Sequence, residues 1–326
     1  MQVKRQPPEY LLLHRIADSA AIPIQRSLVQ ALKGILSPDD LKRLRAALRR
    51  RDIDGVIRII EAERVGVLIA PVLDRLERVH ASAAAASLPA FQTVLRARGV
   101  PDQSIALFGT LTRVNPASLA WIAQHGGEMV QAITTEQKLA LRFVLDRGFR
   151  EGVPPLEMSR QIERFVGLDK LQTRAAVAFE ARLIEAGATA TEARKAGTRY
   201  AALSRRRRAI KIARTETIRA ANRGQLSIWE RAADRGLIDR SVTLEAWIVT
   251  PDDRLCPICA PLAGQTRPLA GTFGSTTPSA SGTGRAVFAS TPPIHPHCRC
   301  ALELVFVDDP GVVIDDNGIL QSRGAL

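Results

Sequence analysis

Cys256-Pro257-Ile258-Cys259 and, after a long interruption, His295-Pro296-His297-Cys298-Arg299-Cys300 contain all four cysteines of the chain and two of its five histidines. Soft ligands paired on two loops are what a tetrahedral zinc site needs, because one metal then ties together segments far apart in sequence. The favoured set is Cys256, Cys259, His295 and Cys298, with His297 and Cys300 as alternates. Cys300 follows Cys298 by two positions, so an extended backbone puts both on one side. A Cys259–Cys300 disulfide and free thiols are the other outcomes this spacing allows. Four protein ligands leave no open position for water, so the zinc is expected to be structural rather than catalytic.

The rest of the 326 residues, 46% hydrophobic, is enough for one large or two medium domains. Aromatics make up only 4%, while Ala, Leu and Arg are abundant, which favours packed helices over a sandwich. No apolar run approaches the ~20 residues of a membrane helix. Leu11-Leu12-Leu13 stops at once on His14 and Arg15, so no signal peptide is expected and the cysteines read as ligands rather than as a disulfide framework. The net charge of +13 favours polyanionic partners through long-range attraction and counterion release. Arginine spread over solvated helix faces is the plainer account of the same charge.

Residues 9–88 read as consecutive helices, with Leu13, Ile16 and Ala20 and then Leu28, Leu32 and Leu36 at helical spacing. Ser37 caps a helix with Pro38 in its first turn and Leu41, Leu44 and Leu48 on one face. His14 and His80 are lone helical histidines, expected to pack rather than to ligate. The pattern weakens over residues 87–102, which suggests a hinge. Asn115-Pro116 looks like a helix start, His125-Gly126-Gly127 interrupts that helix, and Thr134-Thr-Glu-Gln137 opens another in capping-box style. A short helix from Pro154-Pro155 follows, then one ending at Gly187 and another beginning near Thr191.

Residues 205–240 hold eleven Lys or Arg against four acids. Arg205, Arg206, Arg207, Arg208, Lys211 and Arg219 are placed to touch phosphates without reading sequence. Arg214, Glu216 and Asn222 lie in or beside an apolar stripe, where polar groups need partners, so a buried structural network is expected of them. Beyond Gly236, residues 244–249 and 301–307 read as strands flanking the cysteine clusters. Thr250-Pro-Asp-Asp253 is turn chemistry. Residues 270–293, rich in Gly, Ser, Thr and Pro, read as a mobile excursion.

Arg214-Thr-Glu216, Asn222, Gly224, Trp247, Asp253, Arg254, Cys256, Cys259, Leu262, Gly264, Phe288 (or Phe273), Pro293, His295-Pro296 and Cys298-Arg-Cys300 stand in an order that resembles the phage Mu F-like head morphogenesis family, minor head proteins of tailed bacteriophages. The resemblance covers about residues 167–304. It implies a non-enzymatic virion component, assembled in the bacterial host cytoplasm, that acts in head morphogenesis at the portal vertex. The implied partners are the portal protein, scaffold or major capsid protein, and DNA by non-specific phosphate contacts. The expected fold is mostly α, a helical N-terminal region followed by a smaller α+β C-terminal domain stapled by the Cys/His zinc knot. Its segments are residues 1–100 (N-terminal helical), 101–166 (connecting helices), 167–307 (Mu F-like domain) and 308–326 (extended tail). The alternative is a zinc-stapled nuclease using His297 with Asp252 or Asp253. A sequence-reading regulator is disfavoured, because a strand rather than a recognition helix follows the cysteines.

Overall fold

The structure, a computed structural model, describes residues 8–112, 116–250, 252–278 and 284–322. Its helices are α1 (Pro8–Lys33), α2 (Pro38–Arg49), α3 (Ile53–Arg58), α4 (Ala62–Ala97), α5 (Asp102–Thr112), α6 (Pro116–Arg150), α7 (Pro155–Phe165), α8 (Lys170–Glu185) and α9 (Ala190–Asp234). The strands follow: β1 (Thr243–Ile248), β2 (Thr266–Pro268), β3 (Phe273–Thr276), β4 (Ala286–Ala289), β5 (Ala301–Phe306), β6 (Val313–Ile314) and β7 (Leu320–Ser322). The fold is thus mostly α with a small strand-containing C-terminal region, as the sequence implies. Two compact units divide the chain within α1, α4, α6 and α9. One comprises the described residues of Met1–Ala21, Arg75–Trp121 and Arg214–Leu326; the other is Ile22–Asp74 and Ile122–Ala213.

In the second of these units the local signals act as expected at α2. The Ser37 hydroxyl accepts the Asp40 amide at 3.1 Å, and the Asp40 carboxylate accepts the Ser37 amide at 2.8 Å. Of three breaks expected elsewhere, one comes late in its window and two do not occur. The chain stays helical through residues 87–97, because Phe91 and Leu95 continue the buried face of α4, and breaks at 98–101 before α5. Gly126-Gly127 lies inside α6, where a Cβ on Gly126 would stand 2.8 Å from the Leu73 side chain, so the glycine makes room for a neighbour instead of ending a helix. Thr134 is buried mid-helix and caps nothing. Asn115 lies outside the described residues, and α6 begins at Pro116.

The turn between α7 and α8 is held by side chains from two helices. Gln137 accepts the Gly167 amide and donates to the Leu168 carbonyl, both at 2.8 Å. Arg205 donates to the carbonyls of Val166 (2.8 Å) and Arg164 (2.9 Å), and Arg208 donates to that of Gly167 (2.7 Å) and to Glu136. Gly167 has φ +85° and passes so close to the Leu32 carbonyl that a Cβ would lie 2.6 Å from its oxygen; no other residue fits.

In the other unit, Phe91, Leu95 and Phe108 pack with Leu226 and Trp229 of α9 and with Trp247, Leu302, Leu304 and Phe306 of the sheet. α4 and α9 touch at Gly224, where a Cβ would come within 2.2 Å of the His80 carbonyl oxygen. His80 is fully buried, stacked on Trp121 at 5.2 Å, and burial drops its pKa to about 4; it is a packing histidine, as expected. The sheet runs β2-β1-β5, antiparallel throughout, with Trp247 opposite Leu302 and Ile248 opposite Ala301. Residues 279–283 lie outside the described residues, and 270–278 with 284–293 are not the excursion expected. They carry the β3–β4 hairpin, whose Phe273 is buried edge-on against Trp247 at 5.1 Å. Nor is the C-terminal stretch an extended tail: β6 and β7 pair, Leu320 is buried, and its amide donates to the Gly264 carbonyl at 2.7 Å.

At the centre of β1, Glu245 is 0% exposed and accepts the Ala270 amide. Burial, with Glu230 nearby and Arg223 only partly opposing it, pushes its pKa up to about 8 from 4.5. The folded chain therefore holds a proton that the unfolded chain releases above 4.5, so stability declines as pH rises from there to about 8. Glu245→Gln should melt higher than the parent at pH 8, with the difference shrinking toward pH 4.5. Equal melting curves at both pH values would contradict this.

Candidate metal centre

The first ligand turn follows β1 directly. Cys259 and Ala260 donate their amides to the Cys256 carbonyl at 3.1 and 3.0 Å, and the Cys259 amide also reaches the Cys256 sulfur at 3.4 Å. The second turn precedes β5, closed by the Cys298 amide on the His295 carbonyl at 3.2 Å. Because β1 and β5 are paired, the two turns meet at one end of the sheet.

His295 Nδ1 lies 2.7 Å from the Pro296 carbonyl, which can only accept, so Nδ1 carries the proton and Nε2 presents its lone pair. That Nε2 is 3.0 Å from the sulfurs of both Cys256 and Cys259. The Cys259 and Cys298 sulfurs are 3.7 Å apart, close to the ~3.8 Å edge of a tetrahedron with ~2.3 Å metal–sulfur bonds. Two ligand groups result, Cys256–Cys259–His295 and Cys259–Cys298–Cys300, with Cys259 common to both. The hydrogen bond between Cys259 and Cys298 raises the thiol of the former and lowers that of the latter. All four cysteines are free. A correctly oriented imidazole and these spacings suit a soft-ligand metal.

Of the alternates, Cys300 belongs to the cluster and His297 to neither group. His297 is exposed, with φ +63° and its backbone amide on the Thr215 hydroxyl. Around the sulfurs lies a shell the sequence did not reveal. Arg299 clamps Asp252 through two 2.6 Å bonds, and this pairing holds the Asp252 carboxyl well below the usual carboxylate range. The Arg299 carbonyl accepts from the Tyr10 hydroxyl (2.9 Å) and His14 Nε2 (3.1 Å), and the Thr250 hydroxyl donates to the Tyr10 oxygen. Asn222 Nδ2 donates to the Ile218 carbonyl at 2.9 Å and reaches that of Cys300 at 3.4 Å.

The network expected of Arg214, Glu216 and Asn222 does not form as one. Arg214 is exposed, Glu216 pairs with Arg219 at 3.1 Å, and only Asn222 is buried. Positions two apart fall on opposite sides of a helix. The same geometry divides the arginine run, since four consecutive residues span about 300° around the axis. Arg206 and Arg207 face solvent, whereas Arg205 and Arg208 are 8% and 2% exposed and committed to backbone carbonyls. Lys211 and Arg219 are half-buried. Sequence reasoning passed over Lys195 and Arg199, exposed earlier on α9; their signal is the absence of any acid between residues 193 and 215.

A helical body joined to a small sheet whose end is gathered by cysteines and a histidine is the class of protein these elements define. The family described as phage Mu protein F like protein matches residues 141–303, half of the chain, and the chain belongs to that family. Membership points to a phage head-morphogenesis protein and so to the virion. No curated protein and no solved structure matches it. Among the described residues no helix is long and apolar enough to cross a membrane.

Of the two phenylalanines that could fill the family's aromatic position, Phe273 is fully buried and Phe288 is 70% exposed. Phe273→Ala should cost about 3–5 kcal/mol of unfolding free energy. Phe288→Ala should stay within about 0.5 kcal/mol of the parent. Denaturant titration of both variants checks this, and the reverse order would contradict the assignment.

Proposed function

We propose that this chain is a non-enzymatic minor head protein that docks at the portal vertex, with a structural zinc in the Cys/His cluster and non-specific contact to DNA. Family membership carries the head-protein reading. The zinc would be held by Cys259 and His295 with Cys256 and Cys298, Cys300 standing beside them. Its contribution is to cross-link the turn after β1 to the turn before β5, a bond that stabilises folding rather than reacting. The scaffold and major capsid proteins are further candidate partners during assembly in the host cytoplasm.

The nuclease alternative needs a free general base near an open metal position. Asp252 is held by Arg299, which disfavours it as that base. His297 and Asp253 are exposed, and His297 belongs to neither sulfur group. The role proposed is therefore mechanical.

Co-expression with the portal protein of the same phage, then purification at physiological salt, tests the docking role. A stable complex is expected. A correctly assembled portal that leaves the chain behind would contradict it.

The DNA contact is assigned to Lys195, Arg199, Arg206 and Arg207, four of the exposed cations of α9. Arg206→Glu with Arg207→Glu should weaken duplex binding and reduce the slope of log affinity against log salt by about 2, roughly one per phosphate contact. An unchanged affinity and slope would remove DNA contact from this face.

A further inference from the structure

Arg299 stands between two cysteines of the cluster, and its carbonyl collects donors that come from nearly three hundred positions away. Tyr10 and His14 are one turn apart on α1, so both rings project from one side of the helix, 4.3 Å between centroids. The Tyr10 hydroxyl and His14 Nε2 both donate to that carbonyl, at 2.9 and 3.1 Å, and the Thr250 hydroxyl donates to the Tyr10 oxygen. Tyr10 is buried and His14 half-buried. On its other side Arg299 is fixed through its guanidinium by Asp252.

A peptide carbonyl has two lone pairs, and two donors from α1 converge on this one. The backbone that carries Cys298 and Cys300 therefore cannot shift without breaking bonds to α1. Groups that orient metal ligands in this way change metal affinity by about 10–100-fold when removed.

We propose that the first turns of α1 act as a latch on the metal centre: seating Tyr10 and His14 on the Arg299 carbonyl slows metal release, and bound metal in turn holds α1 in place. The two effects are one coupling free energy and must have the same sign. The positioning residues are Tyr10 and His14; neither touches the metal. This rests on the metal reading above. It differs from plain packing of α1, for which Leu13 and Ala17 supply buried apolar contact without reference to the carbonyl.

The test uses the full chain loaded with zinc, one ion per chain being measured first. Zinc transfer to an excess of a colorimetric chelator is timed for the parent, for Tyr10→Phe with His14→Phe, and for Leu11→Ala on the exposed side of α1. The double variant keeps both rings but loses both donors, and should release zinc about 10-fold faster or more. Leu11→Ala should match the parent. In parallel, amide hydrogen exchange is followed in the unsubstituted chain with and without zinc. Stripping the metal should lower protection over residues 12–17 and leave α2 unchanged. An unaltered release rate in a folded double variant, or unaltered exchange on α1 after zinc removal, would overturn the latch. A chain that takes up no zinc would overturn the metal reading and the latch together, so the two failures are told apart.

Discussion

The main-chain carbonyl of Arg299 is the point on which the C-terminal architecture converges. It sits where the second ligand turn becomes β5, and it receives α1 through Tyr10 and His14, with Thr250, just past β1, bonded to Tyr10. The side chain of the same residue fixes the turn at Asp252 that leads into Cys256. Pairing of β1 with β5 brings the two cysteine turns together, and these bonds set how closely they face one another. A cluster of thiols and one imidazole is thereby held at spacings that a single soft metal can close.

A similar economy operates in the other unit. Arg205 and Arg208 look like surface charge in the sequence but serve as braces for the α7–α8 turn, each bonded to backbone carbonyls that have no helical partner. A buried guanidinium is costly in itself, and its planar fork offsets that cost by meeting several acceptors at once. The +13 net charge therefore overstates what polyanions can reach. The cations that do face solvent on α9 include Arg194, Lys195, Arg199, Arg206, Arg207 and Arg214.

Legibility followed range. The Ser37 cap, the strands on either side of the cysteines and the gathering of the cysteines with His295 were readable, because each is signalled within a few positions. Gly126-Gly127 and Thr134 were misread as punctuation because a glycine at a helix contact looks the same, in sequence, as one at a helix end. Phe273 was hidden in a stretch whose Gly, Ser and Thr content resembles a loop, although it fills space against Trp247. The roles of Tyr10 and His14 could not be read at all, since only the fold places them on Arg299. Four consecutive arginines likewise give no hint of which pair turns inward until the helix axis is fixed.

The claim that organises these parts is that one metal closes the Cys/His cluster with sulfur-rich, water-free coordination. X-ray absorption at the zinc edge of the purified full chain tests it most directly. The account predicts three sulfurs at about 2.3 Å and one nitrogen at about 2.0–2.1 Å. A metal-free protein, or a shell dominated by oxygen and nitrogen with water in it, would contradict it.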